Sequence, residues 1–216
     1  RRSSDLIQED GLICLNAFSK TFIPADVPAK RISISPRDIR RLQGVCLSVA
    51  DERRLLVALL SDTGMRLSEA LGLVWSDIKL EHECPHIQLV PHPWRRLKTP
   101  SSKRLIPLVG ASLDAVKIMH QQRSTQFLFN SYADETGCKG NSCSAALNKW
   151  LKKYIPKAVV HSFRHSYRDR LRNAGVQTEM IDQLGGWSSQ SVGQAYGDGF
   201  GLELLYRESL AALNQF

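Results

Sequence analysis

No apolar run in the 216 residues approaches the about 18 needed to cross a bilayer, which excludes a spanning helix. The N-terminus, Arg1-Arg2-Ser3-Ser4-Asp5, has no signal-peptide core. Cysteine is scarce: Cys14, Cys46, Cys84, Cys138 and Cys143 are odd in number and form no CxxC pair. That pattern fits reduced thiols better than a disulfide framework, so the expected compartment is the cytoplasm. Repeats and low-complexity tracts are absent, and 43% hydrophobic with 23% charged residues is globular composition. At about 150 residues per domain the length predicts one large domain with room for an appendage. Acidic residues are in deficit. The 29 Lys and Arg against 21 Asp and Glu leave a net charge of +8, which favours a polyanionic partner through counterion release.

His82-Glu83-Cys84-Pro85-His86 carries metal-ligand residue types at short spacing, yet no second cluster with partner spacing follows. The segment reads as a solvated connection, and neither metal nor cofactor is expected. From Asn16 to Ser35 two prolines, Pro24 and Pro28, and little apolar periodicity mark a linker or arm. Residues 1–34 are expected to be an arm and 35–216 the compact domain. Because the chain does not begin with Met, it is expected to be a piece of a longer protein.

Ser35-Pro36-Arg37-Asp38 is a helix start with Ser as N-cap and Pro at the first position, so a helix is predicted from 36 to about 48. Apolar periodicity and breakers predict further helices over 51–60, 67–73, 112–122, 142–154, 161–173, 178–184, 189–195 and 202–213. Alternation between His86 and Leu108 predicts a small antiparallel hairpin, with Lys98 and Lys103 flanking its tip. Cys138 and Cys143 read as incidental thiols of a Gly- and Ser-rich loop. The fold class is mainly α with a small antiparallel β-sheet (α+β).

His161-Ser-Phe-Arg164-His165 opens a helix, and its three-residue spacing puts His161 and Arg164 on one face. Arg offers a planar fork of donors to phosphate oxygens, and an imidazole can give or take a proton. Arg66 sits at a helix junction where free N–H groups favour anions, and Glu69, three residues on, is placed to hold it. Taken singly, each feature is as well explained by an ordinary surface ion pair or a core histidine.

Taken in order, Thr63-Gly64-Met65-Arg66-Leu67-Ser68-Glu69, Lys98-Thr99, His161-x-x-Arg164-His165 and Tyr196 resemble the catalytic domain of the tyrosine recombinase (phage integrase) family. The resemblance spans about Ser35 to Tyr196. It implies that Arg66 and Arg164 are the catalytic arginines, Lys98 the hairpin lysine, His161 the histidine of the HxxR box and Tyr196 the nucleophile, with Glu69 and His165 in support. Trp187, nine residues before Tyr196, stands where the family usually has a histidine. An indole N–H can donate to a phosphate but cannot shuttle a proton.

The chemistry suits these residue types. A tyrosine hydroxyl with pKa near about 10 needs a base or a strongly cationic site to attack phosphorus. Arg66 and Arg164 can supply that field and neutralise the equatorial oxygens, a task that falls to metal ions in many nucleases. Lys98 can protonate the departing deoxyribose oxygen, and His161 can assist proton transfer at the nucleophile. The phosphotyrosine link conserves bond energy for rejoining, so neither ATP nor a divalent metal is called for. Lys103 competes with Lys98 as the acid, and Tyr167 and Tyr206 with Tyr196 as the nucleophile. Arg95, Arg96, Lys103 and Arg104 around the hairpin, and Arg168 after the HxxR box, are candidate contacts to a DNA backbone.

The resemblance further implies a double-stranded DNA partner, a homotetramer on two DNA sites, a helical core-binding domain upstream, a C-terminal helix that docks on a neighbouring protomer and accessory DNA-bending proteins in a bacterial host. The expected function is integration or excision of a phage or other mobile element. The rivals are a type IB topoisomerase and a DNA-binding protein that has lost cleavage.

Overall fold

The computed structural model describes residues 32–187 and 199–215. All but the last three residues of the expected arm, the helix expected over 189–195, Tyr196 and Gly197 lie outside the described residues.

Helix α1 (Pro36–Val49) begins as its sequence predicts: the Ser35 hydroxyl accepts the Asp38 N–H at 3.1 Å and Pro36 opens the first turn. Asp51 caps α2 (Glu52–Thr63) in the same way, accepting the Arg54 N–H at 2.9 Å. Every residue of α2 from Leu55 to Thr63 is buried, so this helix runs through the middle of the core. It packs against α1, α4 (Gly110–Gln121) and α6 (Val160–Asn173).

Helix α3 (Leu67–Leu71) ends two residues before the predicted 73, because the Leu73 N–H turns back to the Ala70 carbonyl. The predicted hairpin is present as β2 (His86–Leu89) and β3 (Arg104–Pro107), with Ile87 opposite Ile106. A two-residue edge strand, β1 (Ile78–Lys79), completes an antiparallel sheet in the order β1-β2-β3.

The stretch read as a Gly- and Ser-rich loop holds a second hairpin, β4 (Ala133–Asp134) with β5 (Gly137–Cys138), before α5 (Gly140–Leu151). Cys143 is therefore not incidental: it is fully buried on α5, and burial pushes its thiol up to about 11. The chain continues through α7 (Thr178–Gly185) to α8 (Leu202–Asn214). Tyr167, Leu171, Ile181, Leu184 and Leu205 form a second apolar cluster that joins α6, α7 and α8. No described helix is long and apolar enough to cross a membrane.

Candidate active site

The C-terminal end of α2 meets the N-terminal half of α6, and the candidate site lies at that junction. Gly64 ends α2 with φ +60°, and a Cβ there would stand 2.3 Å from the Tyr167 ring. Only glycine satisfies both the left-handed backbone and this approach. Its carbonyl accepts Arg164 Nη1 at 2.6 Å, so the turn that ends α2 also aims the arginine of α6. The start of α6 is fixed from α5, where Asn148 Oδ1 accepts the Val160 N–H at 2.8 Å.

Glu69 ties two further arginines to this junction. Its carboxylate accepts Arg66 Nη1 at 2.5 Å and the Arg66 N–H at 3.0 Å, and pairs with Arg104 Nη2 at 3.0 Å. Arg104 also donates to the carbonyls of Leu184 and Ser102, at 2.9 and 2.7 Å. Burial pushes the Glu69 pKa up, but the Arg104 charge and the hydrogen bonds from both arginines outweigh it and hold the carboxyl below the usual range. One carboxylate thus serves two cations.

Arg164 is 4% exposed, and among the described residues it forms no ion pair with a carboxylate. Its Nη2 is buried without a hydrogen-bond partner among them. Burial, followed by the Arg66 and Arg104 charges, pushes its pKa down to about 9. A guanidinium desolvated beside other cations gains most from an anion, and a phosphodiester oxygen fits that need.

Lys98 and Thr99 are carried by the loop between β2 and β3, pinned to Arg66 through Ser102: the Ser102 hydroxyl accepts Arg66 Nη1 at 3.1 Å and lies 2.9 Å from Thr99 Oγ1. On the other side, Gly185 and Gly186 bring the chain from α7 to Trp187. Gly186 has φ +62°, and a Cβ on it would press within 2.8 Å of Arg104 Nη1. The Arg164 guanidinium carbon lies 4.2 Å from the centre of the Trp187 ring and that of Arg168 4.7 Å. Between these elements opens a cleft of about 360 Å³, lined by Arg66, Lys98, Thr99, Arg168, Asp182, Gly186 and Trp187.

The structure therefore brings Arg66, Glu69, Lys98, Arg164 and Trp187 together at one place. Lys103 is exposed and does not line the cleft, whereas Lys98 is exposed and does. Tyr167 is wholly buried beneath Gly64, with its pKa pushed up to about 12 by desolvation, and Tyr206 lies half-buried on α8. His161 is exposed on the first turn of α6, and its ring meets that of His165 edge-on at 5.0 Å.

Two expected backbone contacts are corrected. Arg95 is 2% exposed: its Nη2 pairs with Asp77 at 3.0 Å and donates to the Val90 carbonyl at 2.6 Å. Arg104 is equally taken up, by Glu69. Both are inward braces, and of the hairpin cations Arg96, Lys98 and Lys103 face solvent. Sequence reasoning missed Ser102 and Asp182, a serine in a turn and an acid on a helix with no motif to mark them.

His82 Nδ1 accepts the Cys84 N–H at 3.0 Å and His86 Nδ1 pairs with the Cys84 carbonyl at 2.9 Å. Among the described residues no three His, Cys, Asp or Glu side chains are grouped to hold a metal ion.

The phage integrase family model matches residues 33–199. The chain is 26% identical to the tyrosine recombinase XerA of Thermococcus kodakarensis over 178 residues, covering 81% of this chain and 59% of the relative. It is 27% identical to the tyrosine recombinase XerC of Pelotomaculum thermopropionicum over 171 residues, with 72% of this chain and 53% of that one covered. The chain thus spans less than two thirds of the length of these relatives. In fold it is similar to the integrase of mycobacterium phage Brujita, with a TM-score of 0.62 at 19% identity over 98% of this chain and 68% of that one. It is also similar to the Tn1549 transposon integrase in complex with circular intermediate DNA, with a TM-score of 0.58 at 18% identity over 89% and 72%. The match to most of the described residues, with the TGMR turn, the HxxR helix and the Lys98 loop converging on one cleft, makes this chain a member of the phage integrase family, with the fold of a tyrosine recombinase catalytic domain.

Proposed function

We propose that this chain is the catalytic domain of a site-specific DNA recombinase that cuts and rejoins double-stranded DNA for the integration or excision of a phage or other mobile element. The observation that carries the reading is Arg164: buried, without a carboxylate partner among the described residues, beside Arg66 and packed behind Trp187, which lines the cleft with Arg66 and Lys98. Such a site stabilises charge that develops on a phosphoryl group and does so with groups already in place. Its relatives are recombinases, and the Tn1549 integrase of like fold was solved on DNA.

In the proposed reaction the Tyr196 oxygen forms a bond to phosphorus while the bond from phosphorus to a deoxyribose oxygen breaks. His161 helps to take the tyrosine proton, Lys98 gives one to the leaving oxygen, and Arg66 and Arg164 bind the non-bridging oxygens. Reversal by the hydroxyl of a second strand completes exchange. Exchange between two duplexes requires four copies, so the working form is a homotetramer on DNA, with an upstream region and accessory bending proteins completing the grip.

The test is incubation of the full chain with a nicked suicide duplex carrying a candidate attachment site in EDTA, followed by a denaturing gel. Wild type should give a covalent protein–DNA adduct and Tyr196→Phe none. Absence of an adduct with a duplex that the protein binds would leave a binding protein without cleavage, and relaxation of supercoils without site preference would indicate a topoisomerase.

A further inference from the structure

The sequence marks Arg168 as a backbone contact, yet its surroundings give it different work. Arg164 and Arg168 are four apart on α6 and so share a face, and both guanidinium carbons lie over one indole ring, at 4.2 and 4.7 Å. Two like charges on one ring repel. Asp182 relieves the repulsion on one side only, pairing with Arg168 at 2.8 Å, while Arg164 has no carboxylate partner among the described residues.

The carboxylate is the unusual feature, since Asp182 lines a cleft that is otherwise cationic and is only 8% exposed in its side chain. Unpaired, it would repel a phosphate; paired, its charge is offset by one N–H of Arg168. The same short segment carries both halves of this arrangement, for the Asp182 carbonyl accepts the Trp187 N–H at 2.9 Å. Gly185 leaves room for the ring, because a Cβ there would fall 1.7 Å from it.

We propose that Arg168 is a positioning residue: held by Asp182, it fixes the Trp187 ring and through that ring the Arg164 guanidinium, and it does not itself bind phosphate. The catalytic part of this inference rests on the recombinase reading. It assigns to Trp187 the work of its π-face, so a ring without the indole N–H should serve.

Two measurements on the full chain test it. The first needs no activity: the Nε–Hε NMR signal of Arg164, identified by its loss in Arg164→Lys. Arg168→Ala and Asp182→Asn should each shift and broaden it, and Arg172→Ala, which removes a charge from the far end of the same helix, should not. An Arg164 signal unmoved by Arg168→Ala overturns the proposal whether or not the protein cuts DNA. The second measures duplex affinity against salt together with the rate of adduct formation at saturating duplex. Arg168→Ala should slow the adduct about tenfold to a hundredfold, as misplacement of a catalytic group does, and leave the salt slope unchanged. Trp187→Phe should stay within about threefold of wild type and Trp187→Ala should not, since the ring face carries the effect. A slope flatter by about 0.9 in Arg168→Ala would make Arg168 a phosphate ligand and overturn the proposal. An unchanged rate, or Trp187→Phe as slow as Trp187→Ala, would do the same. Absence of any adduct in wild type would instead count against the recombinase reading, leaving the NMR result to decide this one.

Discussion

Arg164 reaches across 100 residues of sequence to donate at 2.6 Å to the carbonyl of Gly64, so the end of one buried helix sets the direction of the principal cation on another. The catalytic arginine proposed here is thus held by backbone and ring, and among the described residues no carboxylate neutralises its charge. The neighbouring arginines are held differently, by a carboxylate they share, and this difference separates the consequences of disturbing each.

Removal of the shared carboxylate should be severe. Glu69→Gln leaves Arg66 and the buried Arg104 without their counter-charge, and breaking a buried pair in this way costs about 3 to 5 kcal/mol. Urea unfolding of the two proteins should show the loss as a lower midpoint at an unchanged slope. A loss below about 1 kcal/mol would mean the pair is solvent-screened.

The same residue sets a pH dependence. The folded pKa of Glu69 is depressed, so its contribution is fully present above the unfolded value of about 4.3 and fades as pH falls through the folded one. The gap in thermal midpoint between wild type and Glu69→Gln should hold from neutrality to about pH 5 and narrow below about pH 4. A gap that grows on acidification would contradict the depressed pKa.

The turn at Gly64 can be tested apart from chemistry. Gly64→Ala must place a methyl group against the Tyr167 ring at a positive φ, which combines backbone strain with overpacking and should cost about 2 to 4 kcal/mol. Calorimetry would settle it; a change within about 0.5 kcal/mol would show that the ring moves aside freely.

Adjacent arginines on the hairpin should part company. Arg95→Ala strips a buried partner from Asp77 and should destabilise the fold by about 3 kcal/mol. Arg96→Ala removes an exposed charge, should leave stability within about 0.5 kcal/mol, and should instead weaken duplex binding with a salt slope flatter by about 0.9. Similar behaviour of the two variants in both assays would undo the division between brace and contact.

That pair also shows where sequence is legible and where it is not. Local signals carried the helices: Ser35 and Pro36 opened one, and Gly64 closed another at the residue where the chain turns left-handed. The ordered motifs carried Arg66 and Lys98 into one cleft and Arg164 against the Trp187 ring that lines it, because each motif lies at the end of an element the fold converges on. Burial of a charge is different, since it depends on partners distant in sequence. Nothing near Arg104 announces that Glu69 will take it inward, and nothing near Asp182 announces Arg168. Strands of two residues, such as β1, β4 and β5, are too short to show any alternation.

The central claim is that the Arg66 and Arg164 cleft serves phosphotyrosine chemistry at Tyr196, and the most direct measurement is to locate the bond itself. After reaction with a suicide duplex, nuclease and trypsin digestion followed by mass spectrometry should find a nucleotide remnant on the peptide bearing Tyr196, with the peptides of Tyr167 and Tyr206 unmodified. A remnant on any residue other than Tyr196 would contradict the account.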